Sequence, residues 1–206
     1  MKISYAITVC NEELELVNLI PLLIKHKRPT DEIVVLFDKT NGSHGVEDYL
    51  RASSVNPGGF TWIPVEFQKD FAKLKNHIAK VASGDYIVSI DADEVPTKSF
   101  LENLNVVLED NPEVDVFVVP RWNTVEGLTQ EHVSKWGWRV DHMNRINWPD
   151  YQMRVYKNNG IIEWINPVHE TLTGYLTFAP LPDPMYFNHH KTIAKQEKQN
   201  ALYNAI

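Results

Sequence analysis

Apolar runs of strand length, alternating with amphipathic stretches of helix length, constrain what this chain can fold into more than any other feature. Ile3 to Val9 is the first run, and after it Leu16, Leu19, Ile20, Leu23 and Ile24 recur at helical spacing, with Asn11 placed to cap the helix. Ile33 to Phe37 ends in Asp38 and leads through Asn41-Gly42-Ser43-His44-Gly45 into a short helix from Val46 to Ala52, closed by Pro57-Gly58-Gly59. Phe60 to Phe67 reads as a third strand, Phe71 to Ala82 as a helix stopped by Ser83-Gly84, and Tyr86 to Ile90 as a fourth strand. A helix from Lys98 to Leu108 and a strand from Val114 to Val119 follow. Parallel strands need a helix-sized crossover between them, so repeated units of this length predict an α/β fold, a mainly parallel mixed sheet flanked by helices.

After Pro120 the texture changes. Arg121 to Asp150 holds Trp122, Trp136, Trp138 and Trp148 among charged residues without a sustained period, and reads as an insert beside a site. Tyr151 to Tyr156 and Ile161 to Ile165 flank the turn signal Asn158-Asn159-Gly160, which predicts a hairpin. Thr192 to Ile206 is predicted to be helical. With 206 residues, 43% of them hydrophobic and 23% charged, the chain has material for one substantial core, so a single domain over 1–206 is expected.

Composition also excludes classes. A formal net charge of −7 argues against strong nucleic-acid binding. No apolar stretch reaches the length of a transmembrane segment, and Met1-Lys2-Ile3-Ser4-Tyr5 enters a strand pattern without the layout of a signal peptide. The single Cys10 makes no internal disulfide and no thiolate metal cluster, which suits a reducing, cytoplasmic setting; it is expected to be a small buried residue.

The chemistry concentrates at Asp91-Ala92-Asp93-Glu94, directly after the fourth strand. In open α/β sheets that position faces a ligand crevice. An extended backbone would aim Asp91 and Asp93 to one side, where hard carboxylate oxygens suit Mg²⁺ or Mn²⁺ carrying a phosphorylated ligand. An acidic turn after a strand is also ordinary loop chemistry. His189 and His190, in the apolar, Pro-rich surroundings of Pro182-Asp183-Pro184-Met185-Tyr186-Phe187-Asn188, are either structural or able to complete such a site.

Taken in order, Thr8-Val9-Cys10-Asn11-Glu12-Glu13, the strand-end Asp38, Lys75-Asn76 before Ala82-Ser83-Gly84-Asp85-Tyr86-Ile87, and Asp91-Ala92-Asp93-Glu94 resemble the nucleotide-sugar half of family 2 glycosyltransferases with the A-type fold. Gln152-Met153-Arg154-Val155-Tyr156, Asn159-Gly160, Val168-His169-Glu170 and His189-His190-Lys191 are similar to the carboxyl half of short bacterial and phage members. The resemblance covers nearly the whole chain and implies a Rossmann-like nucleotide-diphospho-sugar transferase fold, with 1–119 as the donor half and 120–206 as the acceptor side. It further implies a nucleoside diphosphate sugar donor, UDP-sugar first, and a DXD-type site for Mn²⁺ or Mg²⁺. Thr8, Cys10, Glu12, Asp38, Lys75, Asn76, Asp91, Ala92 and Asp93 would line the donor site, with Asp93 and Asp91 on the metal and His189 or His190 completing it. One departure stands out: Phe37-Asp38-Lys39-Thr40 leaves a single acid where many relatives carry two.

An inverting member needs a general base opposite the leaving group. Glu170, after His169, and Asp150, before Tyr151-Gln152-Met153-Arg154, are the candidates, with Glu170 preferred. For Glu12 and Lys75 the plain alternatives are a first-turn helix charge and a solvated helix lysine. A saccharide or glycoconjugate is the expected acceptor, with Trp136, Trp138 and Trp148 suited to stack on sugar rings. Many relatives continue past this length, which leaves room for a homo-oligomeric partner over the acceptor side. A nucleotidyltransferase would show a Gly-rich basic phosphate loop where Cys10-Asn11-Glu12-Glu13 stands. A metal-dependent phosphoester hydrolase built on Asp91, Asp93, His169, His189 and His190, or a non-catalytic binding module, are the alternatives.

Overall fold

The computed structural model describes residues 1–54 and 59–203, so the expected stop at Pro57-Gly58 lies outside the described residues. The four apolar runs form β1 (Ile3–Val9), β2 (Glu32–Asp38), β3 (Thr61–Val65) and β4 (Tyr86–Asp91), paired in parallel in the order β3-β2-β1-β4. Chain order reverses at β1, with β2 on one side and β4 on the other. Such a reversal opens a crevice at the strands' carboxyl ends, where Thr8 of β1 stands in register with Asp91 of β4.

Both faces of these strands are covered. Tyr5, Ile7, Val35, Val88 and Ile90 pack against α1 (Glu13–His26), α2 (His44–Ser53) and α4 (Lys98–Asp110) through Leu16, Leu19, Val46, Leu50, Phe100 and Leu104. On the other face Ala6, Leu36 and Ile87 meet Ala72, Leu74 and Ile78 of α3 (Phe71–Val81). Burying each Leu or Ile contributes about 1.5–3 kcal/mol, and this double layer holds the strand ends in place. Ile24, placed on the buried stripe by its spacing, is exposed instead. Ser43, Asp70 and Thr97 cap α2, α3 and α4 through their side chains. Asn11 does not cap α1: Glu12 takes the N-cap position, and its carboxylate folds back to accept the Cys10 and Asn11 amides.

The second half extends the sheet. β5 (Glu94–Pro96), β6 (Val116–Glu126), β7 (Ile146–Lys157), β10 (Phe178–Pro180) and β11 (Phe187–Thr192) join it, with β7 antiparallel between β4 and β6, and β11 parallel to β6 and antiparallel to β5. The segment read as an unpatterned insert therefore begins in β6 and ends in β7, with α5 (Gln130–Trp136) between them. The predicted hairpin across Asn158-Asn159-Gly160 does not form. Both edges of β7 are taken, and Asn159 accepts the Ile161 and Ile162 amides while Gly160 adopts φ +74°, so the chain turns away. It then forms a separate hairpin of β8 (Glu163–Ile165) and β9 (Thr171–Thr173). The expected tail helix is α6 (Ile193–Tyr203). Among the described residues no helix is long and apolar enough to cross a membrane.

Candidate functional site

The chain leaves the extended conformation at Asp91. The Ala92 amide donates to the Thr8 carbonyl oxygen at 3.0 Å, and residues 92–93 turn before β5 begins. The two aspartates consequently face different partners. Asp91 Oδ1 accepts from Thr8 Oγ1 (3.0 Å) and lies 3.2 Å from Lys75 Nζ, and its Oδ2 accepts from Arg154 Nη2 at 2.8 Å. Burial pushes this carboxyl upward, yet Lys75 and Arg154 outweigh it and hold the group well below the usual carboxylate range. Both Asp91 oxygens are thus engaged by Lys75 and Arg154, so the structure turns Asp91 and Asp93 to different partners.

From Asp91 a chain of polar contacts runs around the site and returns to Asp93. Arg154 Nη2 also donates to Glu94 Oε1 (2.6 Å), which lies 3.2 Å from Arg121 Nη1. Arg121 grips Asp150 Oδ2 through Nε (2.9 Å) and Nη2 (2.7 Å), and the same oxygen accepts from Asn123 Nδ2 at 2.7 Å. Burial works against the Asp150 charge, but Arg121 and Asn123 keep its pKa below the ordinary value. Asn123 Oδ1 in turn faces His189 Nδ1 at 2.6 Å, and His189 Nε2 lies 3.5 Å from Asp93 Oδ2. Glu94 is wholly buried and Arg154 nearly so, positions a charged group occupies only when paired; Asp91 and Glu94 pair the Arg154 Nη2, while its Nε is buried without a hydrogen-bond partner among the described residues.

This chain of contacts fixes a tautomer. An ionised Asp150 accepts only, so it turns the Asn123 NH₂ toward itself and leaves Asn123 Oδ1 to receive the His189 Nδ1–H. Burial lowers the His189 pKa while the Asp93 carboxylate opposes it, and the ring's Nε2 faces that carboxylate. An imidazole nitrogen and a carboxylate oxygen at that distance, with the distal nitrogen held by a carbonyl oxygen, become a donor pair that suits a divalent cation once Nε2 carries no proton. Among the described residues no group of three or more His, Cys, Asp or Glu could hold a metal. Magnesium-type sites nevertheless use one or two protein ligands and complete their shell with water and substrate phosphates. Asp93 and His189 fit that pattern. His190, one residue on and so on the opposite face of β11, is exposed and has its Nδ1 2.8 Å from Thr124 Oγ1, away from the carboxylates.

Two further cations surround Asp93. Lys195 Nζ of α6 stands 3.4 Å from Asp93 Oδ2, and Lys191 Nζ of β11 stands 3.7 Å away. Burial opposes the Asp93 charge, but His189 and the two lysines hold its pKa well below normal.

On the other side of Asp91, Lys75 of α3 is 2% exposed, not a solvated helix lysine. It donates to Glu170 Oε1 at 2.6 Å and sits 4.9 Å from the Trp164 ring centroid. Glu170 follows His169, whose φ of +53° is costly for a non-glycine residue and marks a backbone held in place by its surroundings. Asn76, expected at the nucleotide, instead mimics a strand edge: its side chain donates to the Trp164 carbonyl oxygen and accepts the Trp164 amide, both at 2.8 Å. Asp38 accepts from the Thr40 amide, the Asn41 amide and Asn41 Nδ2, tying the loop after β2. Cys10 is half-buried with Sγ 3.7 Å from Asp38 Oδ2; burial and the neighbouring carboxylate push its thiol up to about 12. It lines the crevice rather than the core.

The tryptophans divide into two groups. Trp122, Trp148 and Tyr186 pack together, with the Arg145 guanidinium 5.0 and 4.5 Å from the two indole centroids. Trp136 packs against Trp138 and His132 on and after α5. Arg121, Asn123, Arg154, Lys191 and Lys195 carry much of the site, and none received a role from the sequence. Arg154 and Lys191 lie in stretches that resemble the family, but for Arg121 and Asn123 the available signal was strand alternation through 119–126, obscured by Pro120 and Trp122.

A mixed sheet whose parallel strands carry carboxylates at their switch point has the architecture in which α/β proteins bind ligands at the strands' carboxyl ends. The chain belongs to glycosyl transferase family 2, whose family profile matches residues 4–163. Among solved structures it is similar to S. aureus TarS 1-349, with a TM-score of 0.65 and 17% identity over 92% of this chain and 60% of that one. It is also similar to the TarS 1-349 complex with UDP-GlcNAc (TM-score 0.64, 16% identity, 93% and 59% covered). A third likeness is to GalNAc-T7 with UDP, GalNAc and Mn²⁺ (TM-score 0.50, 18% identity, 61% and 23% covered). At these identities the likeness is one of fold, and the chain spans less than two thirds of the length of the TarS structures it matches.

Proposed function

We propose that this chain carries an inverting transfer of a sugar from a nucleoside diphosphate sugar, UDP-sugar first, to a hydroxyl of a saccharide or glycoconjugate, with a divalent cation on Asp93 and His189. The observation that carries the reading is His189, held at Nδ1 by Asn123, with its Nε2 facing Asp93 at 3.5 Å. When bound, Mn²⁺ or Mg²⁺ supplies positive charge to a diphosphate that grows more negative as the anomeric carbon–oxygen bond breaks. The neighbouring solved structures that hold UDP-GlcNAc, or UDP with Mn²⁺, support the same donor class.

The protein's own groups divide the remaining work. Asp91, pinned by Thr8, Lys75 and Arg154, presents a fixed charge at the end of β4, and Thr8, Cys10, Glu12 and Asp38 border the nucleotide side. Glu170 is the better general base. Asp150 is saturated by Arg121, Asn123 and Gln152, whereas Glu170 receives one side-chain hydrogen bond among the described residues, from Lys75 to Oε1. Glu170 Oε2 is then the atom that takes the acceptor hydroxyl proton as the new carbon–oxygen bond forms and the nucleoside diphosphate leaves with the old bonding pair. Asp150 orients Asn123, and through it His189. The donor site draws on both halves of the chain, since Arg154 and His189 come from beyond residue 120.

Incubation with a panel of UDP-sugars, Mn²⁺ and oligosaccharide acceptors, followed by NMR of the product, tests the reading. UDP release with a β-linked product from an α-linked donor is expected. An α-linked product would contradict the inverting assignment, and donor phosphoester cleavage without UDP release would point to the hydrolase.

A further inference from the structure

Helix α1 is apolar around more of its circumference than the fold buries. Eight of its fourteen residues are Leu, Ile or Val, yet only Leu16, Leu19, Ile20 and Leu23 are buried. Leu14 is 79% exposed and Val17 and Ile24 41% each, with Pro21 exposed between them. The spacing 14, 17, 21, 24 puts these four on one line along the helix, beside the buried stripe. A helix that is hydrophobic on a second face is normally covered there, and a contiguous exposed apolar line marks an interaction surface.

Charge decides what covers it. Glu13 in the first turn and Lys25 in the last are exposed, and neither has an ion-pair partner among the described residues. Glu15 and His26, by contrast, meet Lys195 and Glu102 within the chain. A two-fold axis level with Leu19 lays two α1 helices antiparallel: Leu14 comes level with the partner's Ile24, Val17 with the partner's Pro21, and each acidic end with the other copy's basic end. Antiparallel pairing also opposes the helix dipoles, whereas a parallel pair would set like charge on like charge at both ends. A lipid surface fits less well, because the chain carries a formal net charge of −7 and interfacial helices carry Lys and Arg along their polar face.

Fourteen helical residues give a contact about 21 Å long, short by itself of the roughly 800 Å² per partner that a stable interface buries. Val106 of α4 extends it. This residue is 50% exposed and lies four residues after Glu102 and three before Glu109, the acids that reach His26 (3.8 Å) and Arg28 (3.7 Å), so it sits on the flank of α4 next to α1. A contact of this size gives a weak, concentration-dependent pair.

We propose that the outer line of α1, with Val106 of α4, is the contact face of an antiparallel homodimer. α1 and α4 cover one face of the sheet, and α3, on which the β8–β9 hairpin docks, covers the other, so the second copy leaves the Glu170 side of the crevice open.

Sedimentation velocity over a concentration series of the wild type, Val17→Lys, Glu13→Lys and the double variant Glu13→Lys/Lys25→Glu tests it. The wild type should pass from monomer to dimer as concentration rises. Val17→Lys buries an unpaired charge in the contact and should raise the dissociation constant roughly tenfold or more. Leu14→Lys, further from the core, should do the same and keeps the test independent of any effect of residue 17 on folding. Glu13→Lys should raise the constant roughly twofold or more, and the double variant should restore it. A wild type that stays monomeric throughout would overturn the dimer, and co-sedimentation of that monomer with anionic phospholipid vesicles would assign the line to a membrane surface instead. A dimer that Val17→Lys and Leu14→Lys leave intact would place the contact elsewhere, and equal effects of Glu13→Lys and the double variant would overturn the antiparallel arrangement.

Discussion

At the residue scale, the proposed cation site rests on a relay of contacts: Arg121 holds Asp150, Asp150 turns Asn123, Asn123 orients His189, and His189 faces Asp93. Outer partners of metal-binding histidines typically change affinity by about 10- to 100-fold. Asn123→Ala should therefore weaken Mn²⁺ binding by roughly tenfold or more, read by electron paramagnetic resonance of free Mn²⁺, while the protein stays folded. Glu170→Gln should lower kcat by roughly 10²- to 10⁴-fold and leave UDP affinity nearly unchanged, because the base acts on the acceptor. Unchanged turnover in that variant would shift the proton to Asp150. Asp93, the His189-His190 pair and the rivals Glu170 and Asp150 could be flagged in the sequence because carboxylates and histidines in an acidic loop or beside a strand carry a chemical signal. Asn123 and Arg121 could not, since an Asn and an Arg in a tryptophan-rich segment have no pattern of their own and gain meaning only from register with β7 and β11.

At the element scale, the parallel half was legible and the antiparallel half only in part: the strands read at Val114–Val119 and Tyr151–Tyr156 fall on β6 and β7, but the extensions of those strands toward the site were not read. β1, β2 and β4 are buried on both faces and read as continuous apolar runs, whereas β6 and β7 pass from core to site and mix Pro120, tryptophan and charge along their length. The hairpin expected at Asn158-Asn159-Gly160 followed from a sound turn signal, but a turn says where the chain bends and not which strand receives it. The β8–β9 hairpin is docked instead by Asn76, which stands in for a neighbouring strand. Asn76→Ala leaves two backbone groups of Trp164 unpaired. It should lower unfolding stability by about 1–3 kcal/mol in urea titrations while nucleotide affinity is retained. A fall in UDP affinity without a fall in stability would return Asn76 to the donor site.

At the scale of the whole molecule, the buried carboxylates tie stability to pH. Glu32 joins β2 to Lys2, Ser4 and Ser83; burial raises its pKa, but these donors outweigh it and bring it down to about 2. A depressed pKa gives stability that is complete above the unfolded value, roughly 4.5, and is lost as pH falls toward 2. Asp91 and Asp93 act in the same sense. Thermal stability should therefore drop steeply between about pH 4.5 and 2, and Glu32→Gln should cost on the order of 2 kcal/mol at neutral pH while flattening that drop. The central claim is that Asp93 joins the cation to the nucleotide. Calorimetric titration of UDP into wild type and Asp93→Ala, each with and without Mn²⁺, measures it directly. UDP affinity that rises with Mn²⁺ in the wild type and loses that rise in Asp93→Ala is the predicted result. Affinity indifferent to Mn²⁺ in the wild type, or equally enhanced in the variant, would contradict it.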